Sequence, residues 1–171
     1  MRGIIALFIG IAAGVLGYGW WHVTTHATFH VYLADKSAAG RYGQLHDAQL
    51  AFLDASGATL ARGKTEGKYG TVLVAHPSAG YCGPDLPREA YGACFKAQSE
   101  WLVGWVPRLA QVELTVERCR LERVPIKVRA HPDNVLLWWV PLPHVGGKPY
   151  THYSISLDID SKACAVTGNR G

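Results

Sequence analysis

The first stretch of the chain is apolar at almost every position, and it predicts a membrane helix. From Gly3 to Trp21 no residue carries a charge. At about 1.5 Å per residue this stretch forms a helix of roughly 28 Å, close to the thickness of a bilayer core. Its end carries three aromatic residues of the kind found at membrane interfaces, Tyr18, Trp20 and Trp21. We therefore predict a transmembrane anchor over 1–23 and one further domain over 24–171.

A cleaved signal peptide is the main alternative for this stretch. Arg2 and the amino terminus supply the positive start that a signal requires. The apolar run is longer than the usual ~7–15 residues, and no Ala-x-Ala follows it. These features favour an uncleaved anchor. Arg2 also favours a cytoplasmic N-terminus, which predicts an inner-membrane protein whose domain lies in the periplasm.

Small residues recur along one side of the predicted anchor. Gly10 and Gly14 are four apart, and Gly17 continues the same face. Such spacing lets two helices approach closely in lipid. The pattern predicts contact with other membrane protein subunits as well as with membrane lipid. The alternative is that glycine is simply common in membrane helices.

Beyond the anchor, apolar and polar residues alternate in short runs, which is typical of strands with one buried face. About eight strands are predicted, so the fold class is mainly β. They cover Thr24–Ala34, Leu45–Leu53, Thr59–Arg62, Thr71–Ala75, Gln111–Glu117, Val124–Ala130, Leu136–Val140 and Tyr153–Ile159. Leu136–Val140 is apolar on both faces, which predicts a central strand.

One run has helical instead of alternating periodicity. Arg88 to Val106 lies between Pro87 and Pro107 and predicts an amphipathic helix that packs on a sheet. Its expected buried face is formed by Tyr91, Cys94, Phe95, Gln98, Leu102 and Trp105.

The region from Ala48 to Val74 carries a resemblance to a known family. A strand is followed by Asp54-Ala-Ser-Gly57, a short strand, Thr65-Glu66 with Gly70, and an apolar strand. This order resembles the prealbumin-like modules, which include the carboxypeptidase regulatory-like domains. The resemblance implies an Ig-like or prealbumin-like β-sandwich without catalytic residues, since such modules are usually binding or spacer domains.

Composition narrows the function classes. The chain has 171 residues, 49% hydrophobic and 18% charged, with a net charge of +4. It is too apolar for a disordered chain and too weakly basic for a nucleic-acid-binding protein.

The four cysteines allow three pairings in an exported domain, of which Cys82–Cys94 and Cys119–Cys164 are favoured. Four free thiols are the alternative.

Two further stretches are candidate binding surfaces. Five basic residues lie close together in sequence and could attract anionic lipid or an acidic partner, or form a solvated strand face. These are Arg118, Arg120, Arg123, Lys127 and Arg129. A second stretch is rich in aromatic residues and proline, which favours a binding loop or core packing. It contains Trp138, Trp139, Pro141, Pro143, His144, Tyr150 and Tyr153.

The chain shows no recognisable catalytic motif. Walker, dinucleotide-binding, HExxH and GxSxG patterns are all absent from the sequence. His22, His26 and His30 are spaced by four, but β-branched and aromatic residues from Val23 onward favour a strand, so solvated or interface histidines are expected rather than a metal site.

The predicted function is therefore a non-catalytic interaction module without a cofactor, acting as an accessory or assembly subunit of a membrane complex. The alternatives are a free-standing envelope binding or inhibitor protein of the immunity type, and a metal-binding or enzymatic domain.

Overall fold

A computed structural model of the chain describes residues 2–37, 43–45, 47–66, 71–83, 85–137, 140–143 and 147–169. Over these ranges the protein is mainly β, with a long N-terminal helix and one further α-helix. The helices are α1 (Arg2–Thr25) and α2 (Arg88–Trp105), and a 3₁₀ turn (Val106–Arg108) follows α2. The strands are β1 (Ala27–Asp35), β2 (Gly43–Gln44), β3 (Gln49–Asp54), β4 (Thr59–Glu66), β5 (Thr71–His76), β6 (Gly80–Tyr81), β7 (Leu109–Val116), β8 (Cys119–Pro125), β9 (Arg129–Asp133), β10 (Val135–Leu137), β11 (Val140–Pro143), β12 (Tyr150–Asp160) and β13 (Ala165–Asn169).

Two sheets carry most of these strands. In sheet A, β12 is central: it pairs in parallel with β1 on one side and antiparallel with β9 and β13 on the other. Sheet B is antiparallel with the order β6-β5-β4-β3-β7-β8. The sequence did not predict the parallel β1–β12 pair, because it joins the two ends of the domain.

The two sheets share one hydrophobic core. Alternating residues of β1, β3, β7 and β12 are buried, as period-2 patterning requires. Phe29 of sheet A meets Phe52 of sheet B with ring centroids 5.4 Å apart, and Trp105 of α2 lies 5.6 Å from each. The core therefore lies between the sheets, and the end of α2 contributes to it.

Over its described residues, 48–66 and 71–74, the segment from Ala48 to Val74 has the predicted strands and the predicted turn after β3; Gly70 lies outside the described residues. The Asp54 carboxylate accepts hydrogen bonds from the backbone N–H groups of Ser56 and Ala58, and Gly57 has a φ of +87°. This is the turn that aspartate and glycine predict at these positions. The resemblance of the segment to prealbumin-like modules stays a prediction.

Several predicted strand boundaries are wrong. β3 begins at Gln49 and not at Leu45, β4 continues beyond Arg62 to Glu66, and β12 begins at Tyr150 and not at Tyr153. α1 continues to Thr25, so the first strand begins at Ala27 and not at Thr24. The predicted strand Val124–Ala130 is divided: β8 starts earlier, at Cys119, and ends at Pro125, whereas β9 starts at Arg129 and joins sheet A. Charged residues on β8 and the proline at its end obscured this boundary in the sequence.

The prediction of a central strand at Leu136–Val140 is also wrong. β10 and β11 pair with each other, and no other described strand pairs with them. Two of the four residues of β11 are prolines, Pro141 and Pro143. Proline lacks a backbone N–H donor and is therefore confined to edge strands.

The helix α2 is confirmed, with a slightly rotated buried face. Its buried residues are Cys94, Ser99, Leu102 and Trp105, whereas Tyr91 and Phe95 are exposed. Ser99 is buried because its hydroxyl oxygen accepts a hydrogen bond from the backbone N–H of Ala27, at 3.1 Å. Both favoured disulfides, Cys82–Cys94 and Cys119–Cys164, are formed.

Candidate functional site at the junction of helix and domain

The helix α1 is long and apolar enough to cross a membrane. The qualifying segment, Gly3–Thr25, has 23 residues and a mean hydropathy of 1.9. Its large apolar side chains are exposed around the helix instead of packing on the domain. They include Ile4, Ile5, Leu7, Phe8, Ile9 and Ile11, each more than half exposed. A helix that is apolar all round requires a non-aqueous environment to cover it.

The last turn of α1 is bonded into the start of sheet A. The buried His22 donates a hydrogen bond from Nδ1 to the carbonyl oxygen of Pro149, at 2.5 Å. Thr151 donates twice: its hydroxyl to the carbonyl of Val23 and its backbone N–H to the carbonyl of His26. We call this contact between residues 22–27 and 149–151 the junction. Because only His26 separates α1 from β1, the helix enters the sheet without a linker.

Aromatic rings reinforce the junction. His22 and His26 stack with ring centroids 3.8 Å apart, and the ring of Trp21 meets His26 edge-on at 5.7 Å. On its other side, Nε2 of His26 lies 3.7 Å from a carboxylate oxygen of Glu100 on α2. Three elements (α1, α2 and sheet A) are therefore held together at this point.

A cavity of about 440 Å³ opens beside the junction, between the end of α1, α2 and the start of β12. Its walls include His22 and His26 from the junction, Lys96 from α2, and Lys148 and Tyr150. Neither lysine forms an ion pair with a carboxylate that the structure describes. We call this space the junction cavity.

Tyr150 connects the junction cavity to an acidic residue. Burial raises the pKa of the Tyr150 hydroxyl, and the neighbouring Asp133 carboxylate, which accepts a hydrogen bond from this hydroxyl, raises it further. Asp133 is in no described ion pair with either lysine.

A second group of histidines lies on the outer face of sheet A. The ring centroids of His30 and His131 are 4.7 and 4.8 Å from that of His152. Burial lowers the pKa of His152, and the neighbouring His30 and His131 lower it further. Over the described ranges, no group of three or more His, Cys, Asp or Glu residues could hold a metal ion. His30 thus belongs to a different cluster from His22 and His26, because β1 begins at Ala27, between His26 and His30.

The predicted small-residue face of α1 is free of the domain. A Cβ added at Gly10, Gly14 or Gly17 would meet no atom within 4 Å. Gly19 and His22, which are buried, mark the side of the helix that faces the domain. At about 100° per residue, the small-residue face lies on the opposite side of the helix.

The residues of the predicted aromatic loop are dispersed. Trp138, Trp139 and His144 lie outside the described residues. Pro141 and Pro143 belong to β11, which packs against α1, and Tyr150 lines the junction cavity. Tyr153 is half-buried against the core. The described members therefore do not form one surface: they are divided between β11, the junction cavity and the core.

The five predicted basic residues are divided between the sheets. Arg118, Arg120 and Arg123 lie in or beside β8 of sheet B, Arg129 lies in β9 of sheet A, and Lys127 lies between these strands. Cys119 is bonded to Cys164, which follows the end of β12 that is farther from the junction. The 11 residues of β12 span roughly 36 Å. Arg118 and Arg120 therefore belong to a surface distant from the junction.

The residues that form the junction cavity gave little signal in the sequence. His22 and Pro149 are 127 residues apart and meet only because β1 and β12 pair in parallel. Lys96 and Lys148 are single lysines without a motif around them.

No protein-family model, no curated protein and no solved structure matches the chain.

Proposed function

We propose that this protein is a non-catalytic, membrane-anchored interaction module, and that it acts as an accessory or assembly subunit of a larger membrane complex. We place it in the inner membrane, with its domain in the periplasm. The observation that carries the proposal is the junction, where the last turn of α1 is hydrogen-bonded to Pro149 and Thr151. A helix built into the domain in this way sets the orientation of the domain at the membrane.

The junction supports an uncleaved helix. Removal of α1 would take away the buried His22 and leave the carbonyl of Pro149 without its donor. A leader that is cleaved contributes nothing to the mature fold, whereas these contacts are part of it. The two disulfides fit an oxidising compartment such as the periplasm.

The small-residue face supports a protein partner in the membrane. It points away from the domain, so a second helix can approach it without meeting the sheets. Close approach at glycine gives van der Waals contact and drives association in lipid. In this proposal the two sheets form a sandwich that holds the partner-facing surfaces at a fixed angle to the helix.

The test replaces the small residues with bulky apolar ones. Gly10→Leu/Gly14→Leu keeps the helix hydrophobic but blocks close approach, so co-purifying membrane subunits should be lost. Ala12→Leu/Val15→Leu adds apolar bulk on the other side of α1 and serves as the matched control. Both variants and the wild type are purified from native membranes in mild detergent, and subunit ratios are measured by quantitative mass spectrometry.

Loss of stoichiometric subunits from the first variant alone would support the proposal. If the wild type and both variants retain the membrane subunits equally, the helix serves only to attach the domain to the membrane. If the wild type carries no stoichiometric subunit, a free-standing envelope binding protein becomes the better account.

A further inference from the structure

The junction cavity combines positive charge with an open, partly apolar wall. Lys96 and Lys148 contribute two ammonium groups without a described carboxylate partner. Phe95, on the same wall, is 44% exposed. Ligand sites commonly have volumes of about 300–1,000 Å³, and this cavity, at about 440 Å³, lies within that range.

The cavity lies directly after the aromatic end of the membrane helix. Trp20 and Trp21 are each 56% exposed, as residues of a membrane interface are. His22 to His26 follow them and extend about 7 Å further along the helix. The headgroup layer on one side of a bilayer is about 5–8 Å thick. With the tryptophans at the edge of the hydrocarbon, the cavity is level with the lipid headgroups.

We propose that the junction cavity binds the phosphate of an anionic lipid headgroup, with Lys96 and Lys148 as its charged ligands. The inference rests on the proposed role of α1 as a membrane anchor. The lysines attract the phosphodiester, and the exposed ring of Phe95 covers the apolar part of the lipid next to it. A bound lipid would then fill the space between α1 and α2 and hold the junction in place.

Two carboxylates near the cavity bear on this proposal. Glu100 lies 3.7 Å from Nε2 of His26 and does not line the cavity. Asp133 accepts a hydrogen bond from Tyr150. Among the described ion pairs, neither carboxylate is joined to Lys96 or Lys148, so both lysines are available to an anion.

The experiment measures lipid binding to the full-length protein. Protein in a neutral detergent is titrated with phosphatidylglycerol or with phosphatidylcholine, and bound lipid is counted by native mass spectrometry. Lys96→Ala/Lys148→Ala is compared with Arg62→Ala/Lys162→Ala, which removes the same charge from exposed basic residues outside the cavity. A lysine near an anionic lipid surface contributes about 1 kcal/mol, which corresponds to about fivefold in affinity and about thirtyfold for the pair.

The expected result is preferential binding of phosphatidylglycerol that weakens about thirtyfold in the cavity variant and stays unchanged in the control. Equal binding by both variants would overturn the proposal. A parallel titration adds inorganic phosphate: displacement of the lipid would show that the site takes free phosphate, which also overturns it.

Membrane integration is measured separately by extraction of native membranes at alkaline pH. A protein that stays in the membrane but shows no lipid preference would contradict only the headgroup site and not the membrane anchor. A protein that is released would contradict the membrane anchor, and with it the proposed function.

Discussion

Gly63 is a residue where the core leaves no room for a side chain. A Cβ at this position would lie 3.0 Å from the carbonyl oxygen of Leu73 and 3.0 Å from a ring carbon of Phe52. Gly63→Ala should therefore lower the free energy of unfolding by about 1–3 kcal/mol, the usual cost of overpacking. Urea unfolding of the full chain in detergent micelles, followed by near-UV circular dichroism, measures this change.

Gly104 provides the matched control. It lies inside α2, and an added Cβ meets no atom within 4 Å. Gly104→Ala should raise stability by up to about 1 kcal/mol, because alanine is the better helix former. If Gly63→Ala is as stable as the wild type while Gly104→Ala is more stable than the wild type, the packing described for this core is wrong.

His152 gives the fold a pH dependence. Burial has the largest effect and lowers the pKa of the His152 imidazole. The neighbouring His30 and His131 lower this pKa further, whereas the Asp133 carboxylate raises it. Thr28 also faces His152, through a hydrogen bond to Nδ1 at 2.9 Å. A histidine whose pKa is lower in the folded state binds fewer protons there than in the unfolded chain, where its pKa is about 6.5. Stability should therefore fall as the pH drops through about 6.5.

The measurement compares the urea midpoint at neutral and at mildly acidic pH. His152→Gln should show a smaller loss on acidification than the wild type. His76→Gln, which changes a histidine that lies against Trp101 outside this cluster, serves as the control. An equal loss in wild type and His152→Gln, or a gain of stability on acidification, would contradict the assignment.

Among the elements, the two disulfides differ in what they connect. Cys119–Cys164 links β8 of sheet B to the turn after β12 of sheet A, across a separation of 45 residues. Cys82–Cys94 links the loop after β6 to α2, across only 12 residues. Chain-entropy arguments give about 4 kcal/mol for the longer loop and about 3 kcal/mol for the shorter one.

Cys119→Ser/Cys164→Ser should therefore destabilise the domain more than Cys82→Ser/Cys94→Ser. Thermal unfolding of the two double variants, each compared with the oxidised wild type, tests the order. The reverse order would mean that the loop after β6, and not the link between the sheets, limits stability.

Local pattern predicted several elements because their signals are short-range. The alternation of Val112, Leu114 and Val116 defines β7, and the run between Pro87 and Pro107 defines α2. β8 was missed because charged residues interrupt its apolar positions, and its end at Pro125 was not anticipated. The continuous apolar run Leu136–Val140 predicted one strand, whereas its two ends belong to β10 and β11, which pair antiparallel with each other.

The candidate site was less predictable than the fold. The spacing of His22 and His26 drew attention to the right segment, but their roles depend on Pro149 and Glu100, which are distant in sequence. The parallel pairing of β1 with β12 brings His22 close to Pro149. The hydrophobic pattern of a strand does not predict which other strand it will pair with. The small-residue face, by contrast, follows directly from helical spacing.

At the scale of the whole molecule, the continuity of α1 with sheet A is the main feature. One end of β12 contacts the end of α1, and the other end is held by the Cys119–Cys164 disulfide. Under the proposed function, a domain mounted in this way turns with its helix, so that a partner contacts the helix in the membrane and the domain outside it. This arrangement suits an accessory subunit better than a module on a flexible tether.

The most direct test of this account is the mass of the intact assembly released from native membranes. We predict a chain that retains α1, in stoichiometric complex with other membrane subunits. A chain shortened by removal of α1 would contradict the built-in anchor. A chain that retains α1 but is always released alone would contradict the role as an accessory subunit.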